Sequence, residues 1–183
     1  MSRAILIAGP CAAESEEQVL RIAQPLSRQS RATLVIFRAG LWKPRTSPET
    51  FQGVGDTGLD WLKRVKREYG LPVATEVCTP DQVRKALEAG IDYLWTGART
   101  SANPILIQSI ADAMRDKQPK GVFVKNPVNK DAALWIGDIK RFQIPDSRFL
   151  RYTADVVTSH AGKWHIVCEK RCRKCHYCST RVI

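Results

Sequence analysis

Short apolar runs recur along this chain, and segments of helical length separate them. The segments between the runs carry apolar residues three and four positions apart, as one face of an amphipathic helix requires. Buried strands that alternate with amphipathic helices are typical of βαβ units and a parallel sheet. The pattern therefore predicts five strands, at Ala4–Pro10, Leu34–Phe37, Pro72–Thr75, Tyr93–Ala98 and Val122–Val124.

Local signals predict where several helices begin and end. Thr79, followed by Pro80, is a helix N-cap with proline at the first helical position. Gly70 is placed to end the preceding helix in a left-handed conformation. Asn129 is a candidate cap for the last helix, and Pro25 is expected to kink or shorten the first one.

The number of units defines the fold class. Five βα units extend to about residue 143, and a sixth strand is predicted at Phe149–Val157. A closed TIM barrel has eight units and about 250 residues, whereas this chain has 183 residues. We predict an α/β fold, an incomplete TIM (β/α)8 barrel with about five to six βα units.

A chemically capable side chain follows each predicted strand. In a barrel of parallel strands the carboxyl ends of the strands meet at one rim, where the active sites of this fold lie. One thiol, one carboxylate and three cations are expected to converge there, which favours a substrate that bears phosphate or carboxylate. These side chains are Cys11, Arg38, Glu76, Arg99 and Lys125.

The long segment from Leu41 to Asp56 follows the second strand on the same rim. It contains Lys43-Pro44-Arg45-Thr46-Ser47-Pro48, in which two cations and two hydroxyls alternate with prolines that stiffen the backbone. A preorganised cationic loop binds phosphate at low entropic cost. Such a hexapeptide, taken alone, is equally compatible with a solvated surface loop.

Charge and cysteine content divide the chain in two. Residues 1–140 carry 20 Lys and Arg against 15 Asp and Glu, whereas residues 141–183 carry 9 against 3. The excess of positive charge in the first part is explained by the cations of the rim, and we expect no nucleic-acid partner for it.

No apolar run has the length of a membrane span or the form of a signal peptide. We therefore expect a cytoplasmic protein.

The last part of the chain needs its own interpretation. Four cysteines fall within residues 168–178, which also contain His176, and His165 lies three residues before the first of them. One hypothesis is a zinc site or a basic nucleic-acid contact, although four thiols so close together do not have the spacing of ordinary structural zinc sites. We favour another hypothesis: residues 1–143 form the partial barrel, and residues 144–183 are an aberrant, disordered basic tail. A shifted reading frame or a truncated gene product would give such a sequence.

The ordered set of motifs resembles one known family. It is similar to 3-deoxy-D-arabino-heptulosonate 7-phosphate (DAHP) synthase over about residues 4–142. The hexapeptide is the most specific part, and Pro44-Arg45-Thr46 argues against the sister family, 3-deoxy-D-manno-octulosonate 8-phosphate synthase. The motifs are Ala8-Gly9-Pro10-Cys11, Phe37-Arg38-Ala39-Gly40, Lys43–Pro48, Thr75-Glu76, Gly97-Ala98-Arg99 and Lys125-Asn126-Pro127.

The resemblance implies a transferase of the shikimate pathway, which leads to chorismate and the aromatic amino acids. Phosphoenolpyruvate adds through C3 to the aldehyde of erythrose 4-phosphate, water adds at C2, and phosphate leaves. By the same resemblance, phosphoenolpyruvate is held by Arg38, Lys43, Arg99 and Lys125. Arg45 and Thr46 bind the other phosphate, Lys43 also transfers a proton, and Glu76 orients a cation or water. Members of the family are often homo-oligomers.

The resemblance also implies a divalent metal ion, Mn, Fe, Co or Zn, with Cys11 as one ligand. The family also supplies a His in a His-Arg-Gly motif, and it takes its three further metal ligands, a His, a Glu and an Asp, from later motifs. None of these motifs appears in this sequence, and His160 and His165 stand in other contexts. We therefore expect this chain not to bind the metal stably and to be inactive. Two other functions remain open: a 3-deoxy-octulosonate 8-phosphate synthase-like condensation, or a non-catalytic protein with a zinc- or nucleic-acid-binding tail.

Overall fold

The structure is a computed structural model, and it describes residues 5–29, 34–129 and 131–142. Strands and helices alternate along this part of the chain. The strands are β1 (Ile5–Ala8), β2 (Leu34–Arg38), β3 (Val73–Glu76), β4 (Tyr93–Thr96) and β5 (Gly121–Val124). The helices are α1 (Glu16–Gln29), α2 (Thr57–Tyr69), α3 (Pro80–Glu88), α4 (Pro104–Asp112) and α5 (Ala132–Arg141), with a short 3₁₀ turn at Thr100–Ala102. None of these described helices is both long and apolar enough to cross a bilayer.

All five strands belong to one parallel sheet in the order β1-β2-β3-β4-β5. Consecutive strands are neighbours, and each is connected to the next through a helix, which is the winding of a TIM barrel. The predicted incomplete barrel is confirmed for five units. The predicted sixth strand at Phe149–Val157, the domain boundary after residue 143 and the cysteine-rich tail lie outside the described residues.

Strand side chains alternate between two apolar layers. The larger layer fills the space between the sheet and the helices and includes Val35, Phe37, Val73, Leu94 and Val122. Because successive side chains of a strand point to opposite faces, the other face carries a second, smaller layer. That inner layer consists of Ile7, Ile36, Ala74, Trp95 and Phe123, all buried.

Helix ends follow the sequence signals in most places. Thr79 accepts a hydrogen bond from Gln82 N at 3.2 Å, and Gly70 ends α2 with φ 64°. The prediction that Asn129 caps the last helix is wrong: Asp131 is the cap and accepts from Leu134 N at 3.0 Å. An aspartate closer to the apolar stripe of the helix supplies the same oxygen acceptor.

Proline inside α1 does not shorten that helix. The helix runs for 14 residues and continues past Pro25 to Gln29. The proline lies on the exposed side, while Val19, Ala23 and Leu26 are buried against the rest of the fold. Packing of that apolar stripe therefore outweighs the loss of one backbone hydrogen bond.

The amino-terminal edge of the sheet is held by a buried carboxylate. Asp92, just before β4, accepts from Val73 N at 3.1 Å, Lys66 Nζ at 3.0 Å and Lys120 Nζ at 2.8 Å. Although burial opposes it, these hydrogen bonds keep the pKa of Asp92 below its ordinary value. The charges that join α2, β3 and β5 thus lie at the edge opposite the predicted rim.

Asp138 on α5 is a buried carboxylate of a different kind. Its side chain is fully buried, and neither oxygen has a hydrogen-bond partner among the described residues. Burial raises the pKa of Asp138 to about 6, and the nearby charge of Arg141 only partly opposes the shift. The folded chain therefore binds a proton at this position more tightly than the unfolded chain.

The sign of this shift predicts a pH dependence of stability. Between pH about 4 and about 6, Asp138 is protonated in the folded state and ionised in the unfolded state, so stability falls as pH rises. We expect Asp138→Asn to remove that fall and to raise the free energy of unfolding at neutral pH by about 1–2 kcal/mol. Denaturant titrations at a series of pH values measure both effects.

The matched control is Asp60→Asn, which removes an exposed carboxylate paired with Lys63. It should leave the pH profile of stability close to that of the unchanged chain. An Asp138→Asn variant that keeps the same fall between pH about 4 and about 6 would exclude Asp138 as its source.

Candidate functional site

The candidate site is the layer directly above the inner apolar layer. Each of its positions lies two residues beyond an inner-layer residue, and therefore on the same face of the sheet. Three of the five carry charge and two are glycines. In strand order the positions are Gly9, Arg38, Glu76, Gly97 and Lys125.

The two glycines make room for the charged neighbours. A Cβ at Gly97 would overlap Glu76 Oε1, and a Cβ at Gly9, where φ is 144°, would overlap the carbonyl oxygen of Arg38. Only glycine accepts both the positive φ and the close approach at Gly9. Gly97 thus makes room for a charged side chain, and Gly9 makes room for a backbone carbonyl.

A buried ion pair connects β3 to the loop of residues 41–56, which we call the anion loop. Lys43 Nζ lies 2.8 Å from Glu76 Oε2, and the two side chains are 8% and 7% exposed. The same ammonium group is 3.8 Å from Cys11 Sγ, after β1. A side chain at Gly40 would overlap Cys11 O and crowd Lys43, so this approach also requires a glycine.

Two further cations complete the layer. The Arg38 guanidinium lies over the Trp95 ring, 4.7 Å from its centroid, in a cation–π contact. Burial, together with the charges of Arg38 and Lys43, lowers the pKa of Lys125, and Glu76 only partly compensates. An anion placed among Arg38, Lys43 and Lys125 would relieve this repulsion.

The remaining predicted residues lie at the surface of the rim. Arg99 is exposed, and its Nη1 lies 3.4 Å from Pro44 O in the anion loop. Arg45 and Thr46 are also exposed, and Arg45 Nε donates to Phe51 O at 3.3 Å. The structure therefore brings together Cys11, Arg38, Lys43, Glu76 and Lys125 and sets Arg45, Thr46 and Arg99 outside them. Their roles toward ligands remain predictions.

The described residues supply too few ligands for the metal ion that the resemblance implies. Within residues 5–29, 34–129 and 131–142 there is no group of three or more His, Cys, Asp or Glu side chains placed to hold a metal ion. Cys11 is exposed and has an ammonium group as its polar neighbour. The described residues do not fit a metal site by themselves, and Cys11 as a ligand remains a prediction.

Sequence reasoning missed two contributors to the site. Trp95 supports the Arg38 guanidinium, and Gly97 gives the Glu76 carboxylate its space. The signal for both was present in the period of two along the strand. Trp95 is an inward-facing position of β4, and Gly97 is the next one on the same face.

The space at Gly97 gives a testable prediction. We expect Gly97→Ala to displace the Glu76 carboxylate from Lys43 and to lower the free energy of unfolding by about 1–3 kcal/mol. The control is Gly137→Ala in α5, where a Cβ meets nothing within 4 Å. Alanine there should be neutral or stabilising, by up to about 1 kcal/mol. Equal stability of Gly97→Ala and the unchanged chain in denaturant titrations would contradict this account.

Comparison with known proteins identifies the family of the chain. The model of the DAHP synthetase I family matches residues 2–135. The chain is 39% identical over 98 residues to a phospho-2-dehydro-3-deoxyheptonate aldolase of Thermotoga maritima, covering 54% of this chain and 28% of that protein. It is 34% identical over 155 residues to a 2-dehydro-3-deoxyphosphooctonate aldolase of Variovorax paradoxus, covering 79% of this chain and 53% of that protein.

A solved structure shows the same fold. The crystal structure of the Thermotoga maritima phospho-2-dehydro-3-deoxyheptonate aldolase (DAHP synthase) superposes with a TM-score of 0.65 at 25% identity. The superposition covers 81% of this chain and 40% of that one. The chain thus spans about half or less of the length of these relatives. The family model covers most of the chain, and the chain belongs to the DAHP synthetase I family.

Proposed function

We propose that the rim binds phosphoenolpyruvate and the phosphate of erythrose 4-phosphate, the substrates of a DAHP synthase. The observation that carries the proposal is the excess of buried positive charge above the inner layer. Arg38 and Lys43 are nine-tenths buried, and Lys125 has a lowered pKa. They face one carboxylate, Glu76, which already pairs with Lys43. A ligand with a phosphate and a carboxylate supplies the missing negative charge.

Unused hydrogen-bonding capacity supports the same proposal. Among the described residues, the buried Nε of Arg38, Nε1 of Trp95 and Oδ1 of Asn126 have no partner. Buried polar atoms are normally paired, because an unpaired one costs about 1–3 kcal/mol. These atoms lie on or beside the charged layer, where an anion with several oxygens can bind the nitrogen donors.

The geometry suggests how these residues act on bound substrates. Arg38 and Lys125 hold the phosphate and carboxylate of phosphoenolpyruvate, with Arg99 closing the site from the rim. Attack by C3 on the aldehyde carbon turns the aldehyde oxygen into a hydroxyl, which needs a proton, and we assign the ammonium group of Lys43 as its donor. Glu76 holds that ammonium group in position, 2.8 Å away. Arg45 and Thr46, exposed on the anion loop, bind the phosphate of the second substrate.

A second candidate function is supported by the names of several relatives. The relative from Variovorax paradoxus is named as a 2-dehydro-3-deoxyphosphooctonate aldolase. A related condensation would accept arabinose 5-phosphate, a phosphorylated aldose one carbon longer. The hexapeptide Lys43–Pro48 favours erythrose 4-phosphate. Parallel titrations with the two sugar phosphates discriminate the functions, and tighter binding of arabinose 5-phosphate would favour the second one.

Calorimetric titration with phosphoenolpyruvate tests the binding proposal. We expect measurable affinity in the 183-residue chain, and we expect Arg99→Ala to weaken it by about 1.5–3 kcal/mol through loss of a charge-assisted hydrogen bond. The control is Arg115→Ala, an exposed arginine that pairs with Asp112 on α4. Its affinity should equal that of the unchanged chain. If Arg99→Ala binds phosphoenolpyruvate as tightly as Arg115→Ala, Arg99 has no role in the site.

We further propose that this chain binds its substrates without condensing them. The resemblance implies four metal ligands, and Cys11 is the one that this sequence supplies in a matching motif. We expect no detectable condensation of phosphoenolpyruvate with erythrose 4-phosphate by the purified chain, with or without added manganese. Metal-dependent turnover that Cys11→Ala abolishes would contradict this. It would mean that other residues of the chain, such as His160 or the late cysteines, complete a metal site.

A further inference from the structure

The anion loop is organised by the side chain of one glutamine. Gln52 Nε2 lies 2.7 Å from Thr50 O, 3.1 Å from Ser47 O and 3.3 Å from Pro48 O. Three carbonyl oxygens thus converge on one amide nitrogen that has two N–H donors. Ser47 O also accepts from Thr50 N at 3.3 Å and from Thr50 Oγ1 at 2.8 Å. Without the Gln52 amide these two bonds remain, but the carbonyls of Pro48 and Thr50 lose the donor that draws them together, and the turn loosens.

The main chain of Gln52 ties this turn to the buried site. Its carbonyl oxygen accepts from Lys43 N at 2.8 Å, and Gly55 N donates to Leu41 O at 3.0 Å, which closes the base of the loop. The neighbouring carbonyl, Phe51 O, receives the hydrogen bond from Arg45 Nε. Gln52 therefore contacts both the segment of the loop that carries Lys43 and the turn that follows Arg45.

We propose that Gln52 is a positioning residue for the sugar-phosphate end of the site. Its amide keeps residues 47–50 closed, so that Arg45 and Thr46 are presented to the phosphate in one arrangement. This inference rests on the proposed function, because that function assigns the sugar phosphate to these two residues. It adds a residue that contacts no substrate and determines the affinity for only one of the two.

The selectivity follows from where each binding residue is anchored. Arg38 and Lys125 belong to strand ends, and the side chain of Lys43 is held by Glu76, so these three do not depend on the side chain of Gln52. Arg99 contacts the loop at Pro44 O, outside residues 47–50, and the bond from Lys43 N to Gln52 O involves only the main chain. Arg45 and Thr46 are exposed and belong to the loop itself. Loosening the turn adds an ordering cost to binding at Arg45 and Thr46 and leaves binding at the strand ends unchanged.

The experiment compares Gln52→Ala and Gln52→Glu with the control Gln108→Ala. Gln108 is also an amide with two side-chain hydrogen bonds, to Asp112 and Arg141, but it lies on α4. Calorimetry measures binding of phosphoenolpyruvate and of erythritol 4-phosphate, an unreactive analogue of the sugar phosphate. We expect both Gln52 variants to bind erythritol 4-phosphate about tenfold more weakly than the unchanged chain. Their affinity for phosphoenolpyruvate should be unchanged. Gln108→Ala should change neither.

A second readout follows the loop without any ligand. Trypsin does not cleave Lys–Pro bonds, so within the hexapeptide the cut after Arg45 reports opening of the turn. We expect faster cleavage there in both Gln52 variants than in Gln108→Ala or the unchanged chain. The positioning role would be overturned if the Gln52 variants were cleaved after Arg45 no faster than the unchanged chain. It would also be overturned if these variants lost affinity equally for both ligands. If the unchanged chain binds neither ligand, the proposed function fails, and the effect of Gln52 on sugar-phosphate affinity fails with it. The cleavage rate is a separate test, because the same rate in the Gln52 variants and the unchanged chain would show that Gln52 does not hold the turn.

Discussion

The arrangement of the rim depends on the buried ion pair between Lys43 and Glu76. An unpaired carboxylate at 7% exposure would be strongly destabilising, by about 3–5 kcal/mol, so the chain must bring a cation to it. That cation comes from the loop after β2, whereas Glu76 ends β3. The pair therefore fixes where the anion loop returns over the sheet. Arg45 and Thr46, which follow Lys43, are carried to the mouth of the site as a consequence.

The same pair leaves the site with unbalanced charge. Lys43 neutralises Glu76, and Arg38 and Lys125 remain as two cations in a partly buried layer. Stacking on Trp95 offsets only a small part of the cost of burying Arg38. Such a layer is less stable alone than with an anion. The proposed affinity for phosphate and carboxylate groups rests on this imbalance, and the apolar layer beneath would provide the low dielectric that strengthens it.

The proposed binding and the catalysis implied by the resemblance depend on different residues. The residues proposed to hold anions lie within the five βα units, at the ends of strands or in the anion loop. The residues that the resemblance assigns to a metal belong, apart from Cys11, to motifs that the sequence lacks. Family membership therefore supports the binding geometry more directly than it supports turnover, and the two need different measurements.

The sequence by itself determined the alternation of strands and helices, the single rim and most helix ends. These depend on short-range physics: a period of two in strands, a period near four in helices, and caps such as Thr79 and Gly70. The resemblance, resting on ordered motifs, supplied the family. Each of these inferences could be made without knowing which distant residues touch.

Tertiary structure alone decided the contacts between residues far apart in the chain. No local pattern shows that Lys43 reaches Glu76, that Gly97 leaves space for that carboxylate, or that Asp138 is buried with no partner among the described residues. Such contacts depend on how strands lie beside one another and how a loop folds back, because burial and charge pairing are properties of the packed chain. The sequence could name the residues of the rim, but only their packing shows which of them neutralise each other and which remain for a ligand.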